Sequence, residues 1–421
     1  MNIINLINKK QRGKALNLAE INWFVNAVLN KTIADYQITA FLMAIWFKGM
    51  NPNELFLLTK AMVDTGEIIK FNHHGKISVD KHSTGGIGDK VSLALVPILT
   101  SLGFSVAKLS GRGLGYTGGT IDKLEAVGVK TELTDQQAQA CLDKNDCFII
   151  GQSKDIAPVD KVLYGLRDIT GTVDSLPLIA SSIMSKKLAV MNEYIFIDLK
   201  YGKGAFCKTK KIANELAKLM QSIAKSFKRK LSVKLSDMNQ VLGKAVGNVI
   251  EVNEAVNFLK QDLDQVGQDF IDLMQAIVIN ILLETKQAKT KQKAIELYQD
   301  VLTSKKAWNR FLSFIESQGG NVELFTQKEG FFKPKYKASI KAEKSGILHF
   351  TDPIDLAKIG INLGAGRIKK TDQIDPMAGL FLVKKDNESV AVGDTVLNLY
   401  SSNPISNEDI SAAQKTIIIN K

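Results

Sequence analysis

Two short stretches of this sequence combine glycine with hydroxyl and lysine side chains. They are "KHSTGGIGDK" at residues 81–90 and "SGRGLGYTGGTIDKLE" at residues 110–125. Glycine lets backbone N–H groups approach an oxyanion, and hydroxyl and ammonium groups add donors and charge. The side chains that offer these groups are Lys81, Ser83, Thr84, Lys108, Ser110 and Thr120. One such loop would indicate only a tight strand-to-helix connection, but two in one region predict a phosphate dianion held from two sides.

Neither stretch follows a nucleotide-binding motif. The sequence contains no P-loop consensus, and "GRGLGYTGG" lacks the ribose-binding acid that completes a dinucleotide fingerprint. The predicted phosphate is therefore free, or part of a small metabolite, and does not belong to ATP or NAD.

One histidine lies inside the first glycine-rich stretch. His82 stands between Lys81 and Ser83, whereas His73, His74 and His349 have no comparable neighbours. A lone histidine is usually structural, but the phosphate-binding chemistry on both sides favours a hydrogen-bond donor to substrate.

A third cluster of polar residues falls at residues 166–187. Ser182 and Lys186 are four apart on a predicted helix and share a face, and Arg167 precedes that helix. A hydroxyl, an ammonium and a guanidinium suit a planar group with two carbonyl oxygens. From these residues alone an exposed basic helix end is an equal alternative, because Lys187 continues the run.

The periodicity of apolar residues predicts the elements that carry these groups. Residues 1–65 have helical spacing, with Pro52 at a helix start, and strands alternate with helices from about residue 76. This alternation indicates a mostly parallel sheet, whose strand ends commonly bind ligands. Residues 210–315 are predicted to be mainly helical, and short strands and turns from about residue 330 indicate a small C-terminal domain.

Composition restricts the class of protein. The 421 residues allow two or three domains, and 45% apolar residues support a sizeable core. The net charge of +12 comes from scattered lysines without interleaved aromatic residues, which argues against nucleic-acid binding. No apolar run has the length of a membrane span, the N-terminus lacks signal-peptide features, and the three cysteines have no metal-ligand spacing. We therefore expect a cytoplasmic protein with reduced thiols that binds no membrane.

These stretches also resemble the conserved blocks of the thymidine/pyrimidine-nucleoside phosphorylase family. The signature is "SGRGLGYTGGTIDKLE", and "DKHSTGGIGDK", "LRDITGTVDSLPLIASSIMSKKLA" and "DMNQVLGKAVGNVIEVNEAV" match further blocks in order and spacing. The likeness extends over nearly the whole chain and is greatest to the bacterial pyrimidine-nucleoside phosphorylases.

The resemblance implies an α/β enzyme that works as a homodimer. Its small all-helical domain would pack beside a larger mixed α/β domain, with a cleft between them that closes before reaction, and a C-terminal α+β, barrel-sandwich-like subdomain would follow. The predicted segments are helical at 1–66 and 158–190, α/β at 67–157 and 191–330, and C-terminal α+β at 331–421.

The implied reaction is phosphorolysis of a pyrimidine nucleoside to free base and pentose 1-phosphate, with inversion at C1′ and inorganic phosphate as co-substrate. The phosphate ligands by motif position would be Lys81, Ser83, Ser92, Lys108, Ser110 and Thr120. The pyrimidine ligands would be His82, Tyr164, Arg167, Ser182 and Lys186, of which His82, Arg167 and Lys186 would stabilise the departing base. The chemistry itself would need no cofactor.

Some bacterial members of the family bind a structural potassium ion. The matching positions are Gly88, Lys90, Leu242, Ala245 and Glu254, mostly through main-chain oxygens. Lys90 departs from the family pattern, which has a small residue or Thr there. Its ammonium would either stand in for the ion or repel it.

Three alternatives remain at this stage. A thymidine-restricted phosphorylase would have Met at position 108, whereas Lys108 favours cleavage of uridine, thymidine and deoxyuridine. A phosphoribosyltransferase on the same fold would need magnesium-binding acids near the loops, and the sequence offers no convincing acidic pair. The third is a non-catalytic protein, either a nucleic-acid binder or a carrier module. The stretch "VAVGDTVLNLY" resembles barrel-sandwich carrier domains, but it lacks the modifiable lysine that they have in a turn.

Overall fold

The structure is a computed structural model of the 421-residue chain. It describes residues 1–113, 115–116, 118–151, 155–327, 329–367 and 372–420. Leu114 and Thr117 of the second glycine-rich stretch lie outside the described residues.

Helices form most of the described secondary structure. In chain order they are α1 (Ile3–Gln11), α2 (Leu18–Leu29), α3 (Asp35–Lys48), α4 (Pro52–Asp64), α5 (Val91–Ser101), α6 (Thr120–Glu125), α7 (Asp135–Asn145), α8 (Pro158–Ile169), α9 (Leu176–Ala189), α10 (Lys210–Ser226), α11 (Val249–Lys260), α12 (Gln268–Glu284), α13 (Lys291–Thr303), α14 (Lys306–Ser317), α15 (Glu323–Thr326), α16 (Pro353–Asn362) and α17 (Asn407–Lys415), with a 3₁₀ turn at Leu263–Gln265.

The strands belong to two regions of the chain. They are β1 (Val79–Ser83), β2 (Val106–Ser110), β3 (Cys147–Gly151), β4 (Tyr194–Tyr201), β5 (Lys230–Asp237), β6 (Ala245–Gly247), β7 (Tyr336–Lys341), β8 (Gly346–Phe350), β9 (Gly379–Leu382), β10 (Ser389–Val390), β11 (Thr395–Ser401) and β12 (Ile417–Asn420). The sheet orders are β1-β4-β5, β2-β3, β6-β9-β11-β7 and β10-β8-β12. The fold is therefore α/β, with antiparallel sheets in its C-terminal part.

The chain divides into two compact units. Unit 1 comprises Met1–Phe71, Gln152–Phe196 and Lys210–Val233, and unit 2 comprises the remainder, Asn72–Gly151, Ile197–Thr209 and Lys234–Lys421. Helix α10 belongs to unit 1, although it lies within the predicted α/β segment 191–330. The five-segment division remains a prediction.

The core of unit 1 is helical. The rings of Phe24 on α2 and Phe41 on α3 lie 4.3 Å apart between centroids, and α8 and α9 add Leu163 and Leu178 to the same cluster. Helix α2 begins with a capping box, in which Asn17 Oδ1 accepts from the N–H of Glu20 at 3.0 Å. This cap satisfies N–H groups that have no partner within the helix.

Unit 2 places two strand ends at one edge. Strands β2 and β3 run parallel, and a parallel bridge between Ser78 and Ser105 brings β1 beside β2. Because parallel strands end at the same edge, Ser83 and Ser110, the last residues of β1 and β2, lie on one side of the sheet. The buried helix α5 follows the first of these ends.

Several sequence-based expectations are confirmed and others need correction. Pro52 begins α4, as predicted. The prediction of helices over residues 210–315 missed β5 and β6, although Leu231, Val233 and Leu235 of β5 alternate with polar residues as in a strand. Within the described part of the chain, no helix has the length and apolarity needed to cross a bilayer.

Candidate functional site

Two buried lysines and one aspartate form the centre of the predicted phosphate site in unit 2. Lys81 Nζ lies 3.2 Å and Lys200 Nζ lies 2.9 Å from the same oxygen, Asp198 Oδ2. Only 2% of the Lys81 side chain and none of the Lys200 side chain is exposed. Each ammonium forms an ion pair with this oxygen, but its other N–H donors have no acceptor of hydrogen-bond geometry within the described residues. Buried donors without acceptors are costly, so this centre is suited to an added oxyanion.

Asp89 lies beside this centre. Its carboxylate accepts a short hydrogen bond from the Ser83 hydroxyl. Burial alone would raise the pKa of Asp89, but the ammonium groups of Lys81 and Lys200 and the Ser83 hydroxyl together hold it well below its usual range. Burial would likewise lower the pKa of Lys200, and Asp198 and Asp89 instead raise it. The acid and the lysine both remain charged at neutral pH.

The remaining predicted phosphate ligands occupy strand ends and helix starts. Lys108 on β2 donates a short hydrogen bond to the carbonyl oxygen of Lys81 on β1. Ser110 lies two residues further along β2, so the two side chains share a face of the strand. Ser92 lies in the first turn of α5 and is buried, and Thr120 is the first residue of α6.

The side chain of Lys123 joins the two glycine-rich loops. Lys123 Nζ donates to the carbonyl oxygen of Asp89 at 3.0 Å and to that of Gly118 at 3.3 Å, and lies 2.8 Å from Glu251 Oε2. The Lys123 side chain has no exposed surface. Lys123 therefore connects Asp89 of the first loop to Gly118 of the second.

Close backbone contacts explain why the second loop needs glycine. A Cβ atom on Gly119 would lie 2.1 Å from the nitrogen of Gly113, so no other residue fits. The same turn is fixed by Asp122, whose Oδ2 accepts from the N–H of Gly113 at 2.6 Å and whose Oδ1 accepts from Arg367 at 3.1 Å.

Unit 1 holds four of the five predicted pyrimidine ligands. Ser182 and Lys186 share a face of α9, as predicted, and Lys186 Nζ donates to Ser182 Oγ at 2.9 Å. Both also donate to Asp160 Oδ2 on α8, Ser182 at 3.0 Å and Lys186 through a shorter contact. The Lys186 side chain is 16% exposed, whereas that of Asp160 is 6% exposed. The carboxylate therefore holds the hydroxyl and the ammonium in one arrangement.

Arg167 has an extensive structural role in addition to its predicted one. It is buried, and its guanidinium donates to the carbonyl oxygens of Thr172 at 3.2 Å, Val173 at 2.7 Å and Leu178 at 3.2 Å. These bonds fix the segment between α8 and α9. Its Cζ lies 5.9 Å from the ring centre of Tyr164, and burial raises the pKa of that tyrosine, which keeps its hydroxyl as a donor.

The predicted site residues are divided between the units. His82 lies on β1 in unit 2 with the phosphate ligands, and the other pyrimidine ligands lie in unit 1. Five residues of these centres were not predicted as site residues from the sequence: Asp89, Lys123, Asp160, Asp198 and Lys200. A signal existed for two of them, because Asp198 and Lys200 alternate within the apolar strand "YIFIDLKY". Asp160 also has helical spacing with Tyr164 and Arg167.

The residues of the expected potassium site lie together around a lysine. Lys90 Nζ donates to the carbonyl oxygens of Leu242 and Ala245 and to Glu254 Oε2. Gly88 is adjacent, and a Cβ atom added to it would lie 2.5 Å from the carbonyl oxygen of Leu242. The Lys90 ammonium therefore lies where these oxygens converge, at the position that an ion would occupy.

Three family models match the chain. They are the helical bundle domain of a glycosyl transferase family at residues 4–66, its a/b domain at 75–308, and the pyrimidine nucleoside phosphorylase C-terminal domain at 347–420.

Relatives match over the whole length. A thymidine phosphorylase of Mycoplasma genitalium is 99% identical over all 421 residues of both chains, and one of Mycoplasma pneumoniae is 68% identical over 419 residues, with 100% of each covered. A pyrimidine-nucleoside phosphorylase of Bacillus subtilis is 40% identical, with 100% of this chain and 96% of that one covered.

A solved structure shares the fold. It is anthranilate phosphoribosyltransferase from Thermus thermophilus, with a TM-score of 0.57 and 15% identity over 74% of this chain and 99% of that one.

Proposed function

The chain belongs to the thymidine/pyrimidine-nucleoside phosphorylase family of pentosyltransferases, and we propose that it catalyses the reversible phosphorolysis of thymidine, deoxyuridine and uridine. The products are the free base and deoxyribose or ribose 1-phosphate. The observation that carries the proposal is the pair of glycine-rich loops joined by buried Lys123 beside the buried ammonium groups of Lys81 and Lys200.

Phosphate would bind between these loops and act as the nucleophile. One of its oxygens forms a bond to C1′ of the sugar while the bond from C1′ to the pyrimidine nitrogen breaks, which inverts C1′. Lys81, Lys200 and the Ser83 hydroxyl provide the charge and donors that keep the dianion in position. No covalent intermediate with the enzyme is required.

The electron pair of the broken bond goes to the departing pyrimidine. Arg167 and Lys186, with His82 from unit 2, would stabilise the negative charge on that base in the transition state. Asp160 acts as a positioning residue, since it holds Ser182 and Lys186 by hydrogen bonds. We also propose that the enzyme is a homodimer, which light scattering after size-exclusion chromatography tests.

The range of sugars distinguishes two candidate functions. Relatives at 99%, 68% and 53% identity are named thymidine phosphorylase, which favours the narrower activity. Lys108 supports the broader activity. Its ammonium donates to the carbonyl oxygen of Lys81, beside the proposed phosphate site, and could also donate to a 2′-hydroxyl. We propose the broader activity and treat thymidine restriction as the second candidate.

The test measures free base released from thymidine, deoxyuridine and uridine, with phosphate omitted as the control. We expect phosphate-dependent cleavage of all three, unaffected by EDTA. We further expect Lys108→Met to lower kcat/KM for uridine more than for thymidine. An unchanged ratio would leave Lys108 as a phosphate ligand only, absence of uridine cleavage would favour the second candidate, and magnesium-dependent turnover would favour a phosphoribosyltransferase.

A further inference from the structure

The ammonium group of Lys90 lies at the centre of a closed set of oxygens. Its side chain has no exposed surface. Nζ lies 2.7 Å from the carbonyl oxygen of Leu242, 2.7 Å from Glu254 Oε2 and 3.2 Å from the carbonyl oxygen of Ala245. An ammonium has three N–H donors, and here three acceptors receive them.

The surrounding backbone is built closely around this cation. The Glu254 carboxylate also accepts from the N–H groups of Lys244 at 2.8 Å, Ala245 at 2.8 Å and Gly267 at 2.9 Å. Gly243 has a φ of +72°, and a Cβ atom there would lie 2.6 Å from Lys90 Nζ and 2.4 Å from Glu254 Oε1. Both the backbone conformation and the available space therefore require glycine at 243.

We infer that the Lys90 ammonium is the resident cation of this centre and replaces a bound monovalent metal ion, so that the fold needs no potassium. Two main-chain carbonyl oxygens and a carboxylate are hard oxygen donors that suit a potassium ion as well as an ammonium. The two cations carry the same charge, and the centre stays formally balanced by Glu254 in either case. A second cation cannot enter, because Nζ occupies the position and would repel it.

The position of Lys90 explains what such a cation does. Lys90 is the N-cap residue of α5 and directly follows Asp89 of the first phosphate loop. Its side chain connects that loop to residues 242–245 and to Glu254 on α11. A metal ion would make this connection only while bound, whereas a lysine side chain makes it permanently.

The first experiment uses the unaltered protein and does not rest on the proposed function. The chain is dialysed into potassium-free buffer, and its Tm is measured in potassium, sodium and choline chloride at equal ionic strength. We expect the same Tm in all three salts and substoichiometric potassium by elemental analysis after dialysis from potassium chloride. A potassium-specific rise in Tm, or one potassium ion retained per chain, would overturn the inference.

The second experiment converts the centre into an ion site. Lys90→Thr removes the ammonium, leaves Glu254 as a buried unpaired carboxylate, and should lower the Tm in choline chloride by roughly 5–10 °C. Potassium should restore much of this loss and choline none, because an ion that binds only the folded state stabilises it. Lys203→Thr, in an exposed loop of unit 2, is the matched control and should respond equally to all salts. An unchanged Tm in Lys90→Thr, or an equal response of Lys90→Thr to every salt, would contradict ion replacement.

If Lys90→Thr does not accumulate as folded protein, a double variant keeps the inference testable. Lys90→Met with Glu254→Gln removes both charges, so no buried charge is left unpaired. We expect it to fold and to show no potassium response. A potassium-specific rise in its Tm would show that the carbonyl oxygens bind the ion without the carboxylate and would overturn the assignment of this centre to Lys90.

Discussion

Replacing Asp160 with Asn tests whether this carboxylate positions the pyrimidine ligands. Asp160 accepts hydrogen bonds from Ser182 and Lys186. Hydrogen bonds to a charged group contribute about 1.5–3 kcal/mol and those between neutral groups about 0.5–1.5. Asn keeps an oxygen acceptor but loses the charge, so the Ser182 bond becomes a neutral one and the Lys186 ammonium loses its ion pair. Together these changes should weaken the contacts by about 2–3 kcal/mol. If the whole of this free-energy change raises the activation barrier, kcat falls about 30–150-fold.

The assay measures kcat and KM for thymidine and for phosphate, together with Tm. We expect kcat to fall, the KM for phosphate to stay unchanged, and Tm to drop by no more than roughly 10 °C. Asp168→Asn makes the same chemical change at an exposed position of α8 and should leave kcat near its starting value. Unchanged kcat in Asp160→Asn would refute the positioning role, and a loss confined to Tm would make the contact purely structural.

Three further predictions follow from the same contacts. Arg167→Ala and Lys186→Ala should each lower turnover about 10²–10³-fold. Arg167→Ala should also lower Tm, because three carbonyl oxygens lose their donor. Equal Tm values for Arg167→Ala and the unaltered protein would contradict this. Phosphate without nucleoside should raise the Tm relative to a chloride control of equal ionic strength. At 100 times its Kd it should add about 2.7 kcal/mol to the free energy of unfolding. Lys200→Met should abolish this stabilisation. Asp89 has a depressed pKa, so its contribution to stability is present above its ordinary pKa of 3.8 and is lost as the pH falls below that value. Below about pH 4, the free energy of unfolding should therefore fall less steeply with decreasing pH in Asp89→Asn than in the unaltered protein.

The sequence was most informative where local rules apply. Pro52 marked the start of a helix, and the spacing of Ser182 and Lys186 placed them on one helical face. The glycine-rich loops were also predictable, because glycine and hydroxyl residues have few other reasons to cluster beside lysine.

The partners across the chain could not be predicted in the same way. Asp160 meets Lys186 from 26 residues away, and Lys90 meets Glu254 from 164 residues away. Such pairs depend on how helices and strands pack, and a single sequence contains no direct record of this. Strand β5 did carry a local signal that was missed, since Leu231, Val233 and Leu235 alternate with polar residues as in a strand.

The buried Lys123 has a consequence for the speed of phosphate capture. Lys123 joins Asp89 of the first loop to Gly118 of the second, so the conformational entropy of ordering these two positions is lost when the chain folds and not when the ligand arrives. A preformed site has no slow ordering step to complete. Phosphate should therefore bind in a single kinetic phase whose rate rises linearly with concentration and falls with ionic strength, as expected for an anion steered toward a lysine-rich centre.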